Sequence, residues 1–234
     1  MIRIRSEASI MMVKPVHQSV RERGFTLVEL LIVMAVGTIV MSAVMTSFYS
    51  QHKSYLVQDD VVEMQQNLRV ALDMISNDIR SAGYDPNSLG AGITAAGNGT
   101  EFLPLTFTRD DGTGVLETIS YSQFDAYAAA AIPGDGVVDD LARNMNDGSG
   151  RQVVAENISL LEFRYLDKEG SVTASLPDIR SIQISILAVT RGPDQNFANI
   201  MTYTSASGAI WGPFNDNLRR RILITTIQCR NLGL

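Results

Sequence analysis

Only one cysteine, Cys229, and two histidines, His17 and His52, stand in the 234 residues. A lone cysteine excludes an intramolecular disulfide in any compartment. Set in a strand-like run, Cys229 reads as a small buried residue rather than a reactive thiol. So little histidine leaves no Ser-His-Asp set, no Cys-His pair and no histidine cluster for a metal. No carboxylate spacing singles out an acid-base pair either, so an enzyme is not expected. Basic residues are also short: 19 Lys and Arg face 25 Asp and Glu, for a net charge of −6. That balance argues against a broad electrostatic footprint for nucleic acid.

The most informative absence is of charge itself. From Leu30 to His52 no side chain is formally charged. About 23 residues at about 1.5 Å each are enough to cross a hydrocarbon core. One membrane helix near the N-terminus is expected. Lys14, Arg21 and Arg23 precede the run, which keeps the short N-terminal side cytoplasmic and sends everything after Lys53 across the membrane. Glu29 stands just before this run, where an ionised, unpartnered carboxylate costs at least a few kcal/mol. Its bland reading is a side chain that snorkels to the headgroups from near the helix end. A secretory signal fits less well, because its apolar region is about 7 to 15 residues with a small-x-small site after it. Ser42-Ala43-Val44 matches such a site poorly, and no cysteine near the end of the run offers lipoprotein processing.

Gly24-Phe25-Thr26-Leu27-Val28-Glu29, behind a basic leader and before the apolar run, resembles the processing motif of type IV prepilins. The resemblance implies that a prepilin peptidase cuts after Gly24 and that the new terminus at Phe25 is N-methylated. Phe25 and Glu29 are four apart, one helical turn, so the freed amine and the carboxylate share a face. In filaments of this family the glutamate at this position is thought to neutralise the terminal ammonium of a neighbouring subunit. A buried opposite charge is the partner Glu29 needs. Met11 and Met12 are later possible starts than Met1, and translation from one of them is expected. The leader through Gly24 holds five of the 19 basic and two of the 25 acidic residues, leaving 14 against 23 and a net charge of −9.

The helical pattern continues past Lys53. Val61, Met64, Leu68, Ala71, Leu72, Ile75 and Ile79 recur at spacings of three and four, an amphipathic stripe that packs on a domain. Asp59, Asp60, Glu63, Arg69, Asp73 and Asp78 fall mostly between them, as a solvated face does. Gly83 supplies the stop, with Asp85-Pro86 behind it. Gly37 either loosens the helix locally or marks a close-packed helix contact. The phrase Leu68-Arg69-Val70-Ala71-Leu72-Asp73-Met74-Ile75-Ser76-Asn77-Asp78-Ile79-Arg80-Ser81-Ala82-Gly83-Tyr84 is similar to that which ends the long helix in PilW-like minor pilins. The J-type minor pseudopilins of type II secretion are the next nearest resemblance, and the likeness covers about the first 86 residues.

Beyond Asn87–Thr100, a Gly-, Ala- and Asn-rich loop, strand-like runs lie at Glu101–Arg109, Val115–Phe124, Ile158–Asp167, Ile179–Thr190 and Arg221–Arg230. Ile182, Ile184 and Ile186 alternate with Gln183 and Ser185, as in a half-buried antiparallel strand. Asp110 to Gly114 and Asp167 to Gly170 are turn chemistry between such runs. The predicted class is α+β and pilin-like: a long N-terminal helix, transmembrane in its first half, packed on an antiparallel sheet. The divisions are a leader at 1–24, a transmembrane half-helix at 25–50, an amphipathic half-helix at 51–86 and a β-rich domain at 87–234.

Two regions interrupt the sheet, Ala126–Gly150 and Gly192–Asn217, either binding loops or variable surface. Asp135, Asp139 and Asp140, with Asp125 and Asp147, are candidate oxygen ligands for Ca²⁺, though the segment lacks the EF-hand pattern and an ordinary acidic loop is preferred. No other cofactor is expected. Arg219-Arg220-Arg221 is a candidate for DNA or anionic lipid, but local ion pairing is preferred.

The resemblance implies a structural role as a minor pilin in the initiation or tip of pilus assembly. Implied partners are prepilin peptidase, other minor and major pilins, the inner-membrane assembly platform and membrane lipid; nucleic acid is not expected. The implied location is the inner membrane, single-pass with the C-terminal domain periplasmic, and then the pilus or pseudopilus. Two alternatives stay open: a pseudopilin of a type II secretion system, and a tip adhesin or DNA-binding module.

Overall fold

The computed structural model describes residues 24–100, 102–125 and 139–233. Its first element is an α-helix, α1, over Leu27–Ser81. Compact units divide the chain between Ser50 and Gln51.

In the first unit every described residue from Gly24 to Ser50 is exposed. This part of α1 is long and apolar enough to cross a membrane, with a mean hydropathy of 2.4 over its best 18-residue window. Three of its hydroxyls are satisfied internally: Thr38 donates to the Ala35 carbonyl at 2.8 Å, Ser42 to Thr38 at 2.9 Å and Thr46 to Ser42 at 2.9 Å. A hydroxyl bonded back to its own helix needs no water, so three polar residues do not spoil an apolar exterior. The helix runs through Gly37 without a break.

In the second unit the stripe does what its spacing predicts. Met64, Leu68, Ala71, Ile75 and Ile79 are buried, with Val61 and Leu72 packed beside them. Gly83 ends the helix at φ +74°, a left-handed conformation that costs glycine little, and its N–H donates to the Thr108 carbonyl at 3.0 Å. Helix termination and docking on the sheet therefore occur at one residue.

The stripe meets a five-stranded antiparallel meander and a three-stranded antiparallel sheet. The meander is β1 (Ile93–Ala96), β2 (Leu105–Asp110), β3 (Leu116–Phe124), β4 (Asp140–Asn144) and β5 (Arg151–Ala155), in that spatial order. The second sheet has the order β10 (Arg220–Gln228), β7 (Ser181–Val189), β6 (Ile158–Leu166). A short pair, β8 (Tyr203–Thr204) and β9 (Ile210–Trp211), stands apart from both. In β7 the alternation predicts one buried face, and Ile182, Ile184 and Ile186 are all fully buried. The other face is covered too, at Ser185 and Leu187, because Ala206 of the β8–β9 turn donates its N–H to Ser185 Oγ at 2.9 Å. Full burial of large aliphatic side chains contributes about 1.5–3 kcal/mol each, so this shared core carries the unit.

The α+β expectation holds, with three corrections. The first is one of number, since two main sheets replace one. The second concerns segments read as loops: β1 lies inside Asn87–Thr100, β4 inside Ala126–Gly150, and β8 and β9 inside Gly192–Asn217. These strands are short or polar and hold their place through neighbours, not through an apolar alternation.

The third is Asp78, expected on the solvated face and found 8% exposed. It lies one residue before Ile79, at the edge of the stripe, and turns into the meander. Register places Tyr121 opposite Arg143, and Arg109 opposite Glu117, on neighbouring strands. Tyr121 Oη and Arg143 Nε both donate to Asp78 Oδ2, at 2.7 and 2.6 Å. Arg109 Nη1 stands 3.5 Å from Asp78 Oδ1, while its Nε donates to Glu117 Oε2 at 2.6 Å. Burial and the Asp78 carboxylate push the Tyr121 hydroxyl far above the usual phenol range. Burial works against the Arg143 charge, but the hydrogen bond and attraction to Asp78 outweigh it. Two acids and two bases balance, and the helix is tied to three strands through one carboxylate.

Breaking such a buried set by removing one member costs about 3–5 kcal/mol, because uncompensated charge remains. Asp78→Ala should destabilise the second unit by that amount in urea unfolding, and Tyr121→Phe by about 1.5–3 kcal/mol, the worth of a hydrogen bond to a charged group.

Candidate functional site

The site expected from sequence is Gly24, Phe25 and Glu29, all within the described residues. They sit at the start of α1. Thr26 precedes its first residue, and the Glu29 N–H donates to Thr26 Oγ1 at 3.2 Å. In return the Thr26 N–H reaches Glu29 Oε2 at 3.5 Å. This is a capping box, in which the cap threonine and a glutamate three residues later each satisfy an orphan N–H of the helix start. The sequence carries this signal as Thr-x-x-Glu, on the same residues as the processing motif, which masks it. Among the described residues, Glu29's carboxylate meets only that weak N–H contact, and the side chain is exposed.

Phe25 is 81% exposed. A Cβ added at Gly24 would meet nothing within 4 Å, and the backbone there is not left-handed. Nothing among the described residues therefore requires glycine at 24. Residues 1–23 of the expected leader lie outside the described residues.

Asp135 lies outside the described residues. Asp140 opens β4 and is buried, Asp125 follows β3, and the exposed Asp147 turns its carboxylate onto the Ser149 N–H at 2.9 Å. Among the described residues no group of three or more His, Cys, Asp or Glu side chains is placed to hold a metal ion. The arginine run resolves as local ion pairs. Arg219 binds Asp194 Oδ2 through Nε at 3.1 Å and Nη2 at 2.7 Å, with its guanidinium 4.5 Å from the Phe197 ring centre. Arg220 binds both oxygens of Asp216 at 2.7 and 2.6 Å and lies 3.8 Å from the Phe214 ring centre. The arginines hold both carboxyls below the ordinary aspartate range. Only Arg221 remains exposed. Cys229 is 5% exposed, and burial pushes its thiol up to about 12, so it stays protonated at neutral pH.

Residues 20–45 match the family model of the prokaryotic N-terminal methylation motif. No curated protein matches the chain in sequence. Among solved structures, the chain is similar to a type IV-like pilin from Thermus thermophilus, at a TM-score of 0.46 and 12% identity over 73% of this chain and 97% of that one.

Replacing a capping Thr by Ala costs about 1 kcal/mol. Thr26→Ala should therefore speed amide exchange at Leu27 to Glu29 about fivefold while leaving exchange beyond Ser50 unchanged. The chain carries the N-terminal methylation motif of prokaryotic prepilins at the start of a long, apolar helix.

Proposed function

We propose that this chain is a type IV pilin-like structural subunit, cut after Gly24 and N-methylated at Phe25. Within that class it is a minor subunit of the PilW-like kind, acting at the initiation or tip of assembly. The observation that carries the reading is the methylation motif over residues 20–45, joined to a helix that is exposed and apolar along its whole first unit. Such a surface is stable only in lipid or against other apolar helices. A membrane-stored subunit that moves into a filament core meets both.

Gly24 supports the processing step. Its freedom from steric demand among the described residues points to an external reader, and a peptidase that must bring backbone close to its catalytic groups is such a reader. Glu29 supports the assembly step. Among the described residues its charge is met only by a long N–H contact from Thr26, and a neighbouring subunit's terminal ammonium completes it. The capping box also holds the carboxylate at the helix start, beside the turn where Phe25 ends. The partners are then prepilin peptidase, the assembly platform and other pilins, with no ligand needed.

The test is mass spectrometry of the N-terminal peptide from membranes and from sheared surface fibres. A terminus at methylated Phe25 in both fractions is expected, together with loss of cleavage in Gly24→Val. Methylated Phe25 confined to membranes would move the chain to a secretion pseudopilus. An intact leader in a host with active peptidase would overturn the reading.

A further inference from the structure

The two main sheets end in four outer strands, β1, β5, β6 and β10. An outer strand carries a row of backbone N–H and C=O groups with no neighbouring strand, and proteins blunt such rows with short strands, bulges, charge, proline or cover. Three of the four are blunted. β1 has four residues and a register shift between Ile93 and Ala95. β5 has five, begins with Arg151 and meets a register shift in β4 between Leu141 and Ala142. β6 is covered: its Phe163 N–H donates to the Asn98 carbonyl at 3.1 Å, and its Tyr165 carbonyl accepts from the Thr173 N–H at 3.0 Å.

β10 lacks these devices beyond the arginines at its start. It pairs with β7 over nine residues without a shift, from Arg220 opposite Val189 to Gln228 opposite Ser181. From Ile222 to Gln228 it holds no charge and no proline. Hydrogen bonds at its two ends fix which groups turn outward. The Cys229 N–H donates to the Arg180 carbonyl and the Thr190 N–H to the Arg219 carbonyl, both at 2.9 Å. Opposed residues in an antiparallel ladder alternate between bonded and non-bonded pairs, so the odd-numbered residues of 219–229 bond to β7. Arg220, Ile222, Ile224, Thr226 and Gln228 therefore turn both backbone groups away from it. Among the described residues no hydrogen bond reaches these outward groups.

An open row of this kind is completed by an extended backbone. Side chains indicate what that backbone carries. On one face Leu223 packs against the core and Ile227 is buried; on the other Ile224 is 44% exposed. A strand laid beside β10 sets its own residues against these aliphatics, and between Ile222 and Gln228 a charge on it would find no opposite charge in β10.

A second copy of this chain fits poorly. Its β6 edge is already covered. Antiparallel pairing of β10 with β10 sets a two-fold axis along the sheet normal, which reverses α1, packed along the sheets from Met64 to Ile79. Two copies entering one bilayer by the same end of α1 cannot be so related, an exclusion that rests on the reading of α1 as a membrane helix.

We infer that the outer edge of β10 accepts an extended strand from another polypeptide, uncharged at its centre and apolar at alternate positions. That strand extends the sheet β10-β7-β6 by one.

The probe is a synthetic peptide that alternates Val and Thr between terminal lysines, added to the full chain in detergent micelles. Amide exchange is read residue by residue along β10. In the free chain Ile222, Ile224 and Thr226 should exchange at least about tenfold faster than Leu223, Thr225 and Ile227, which bond to β7. A large excess of peptide should slow the first set at least about tenfold and leave the second unchanged, and the same peptide with a central proline should do neither. Ile224→Pro removes only an outward N–H, so it should keep Thr225 and Ile227 slow and lose the peptide's effect. Slow outward amides in the free monomeric chain would mean an edge already covered and would overturn the inference. So would outward amides that stay fast in excess peptide. Protection that rises with protein concentration alone, with a dimer in sedimentation, would assign the edge to a second copy and overturn the partner named here. None of these outcomes touches processing at Gly24.

Discussion

A carboxylate in apolar surroundings must find a positive partner, and this chain meets the requirement in two ways. Asp78, buried where α1 crosses the meander, finds Arg143, Arg109 and Tyr121 within its own fold. Glu29, at the head of the apolar run, finds only the Thr26 N–H among the described residues. The first carboxylate is complete and fixes tertiary structure. The second has no cationic partner among the described residues, which is the physical reason to look for one in another molecule. In a filament, the ammonium left at Phe25 by cleavage would supply it, linking processing to assembly through one ion pair.

The same division runs along α1. Up to Ser50 the helix is exposed all round, and Thr38, Ser42 and Thr46 bond back to carbonyls one turn earlier. From Gln51 onward only one face is apolar, and it closes a core against two sheets. A single element thus carries two solvation schemes, one suited to lipid or helical neighbours and one to water. Gly83 ends it where the backbone passes its N–H to β2.

Period made much of this legible. The stripe from Met64 to Ile79 and the isoleucines of β7 state their buried faces in the residues themselves, because packing on a helix or sheet face demands that spacing. β4, with the sequence Asp-Leu-Ala-Arg-Asn, carries no such signal and exists because Tyr121 and Ser122 pair with Arg143 and Ala142. Asp78 was misplaced for a related reason: its partners are 65 residues away in the case of Arg143, and no local pattern links them. At the N-terminus the legible signal was specific but double, since Thr26 and Glu29 serve both the processing motif and a capping box. The arginine run read as charge alone would favour an anionic partner, yet two of its three members are spent on Asp194 and Asp216.

The most direct test of the incomplete carboxylate is the fraction of subunit found in sheared fibres relative to membranes for Glu29→Ala and the unaltered chain, with the N-terminus checked in both. If the ion pair drives incorporation, Glu29→Ala is cleaved normally but its fibre fraction falls at least about tenfold, the equivalent of about 1.4 kcal/mol. An unchanged fibre fraction for correctly cleaved Glu29→Ala would contradict the charge pairing and leave Glu29 a helix cap alone.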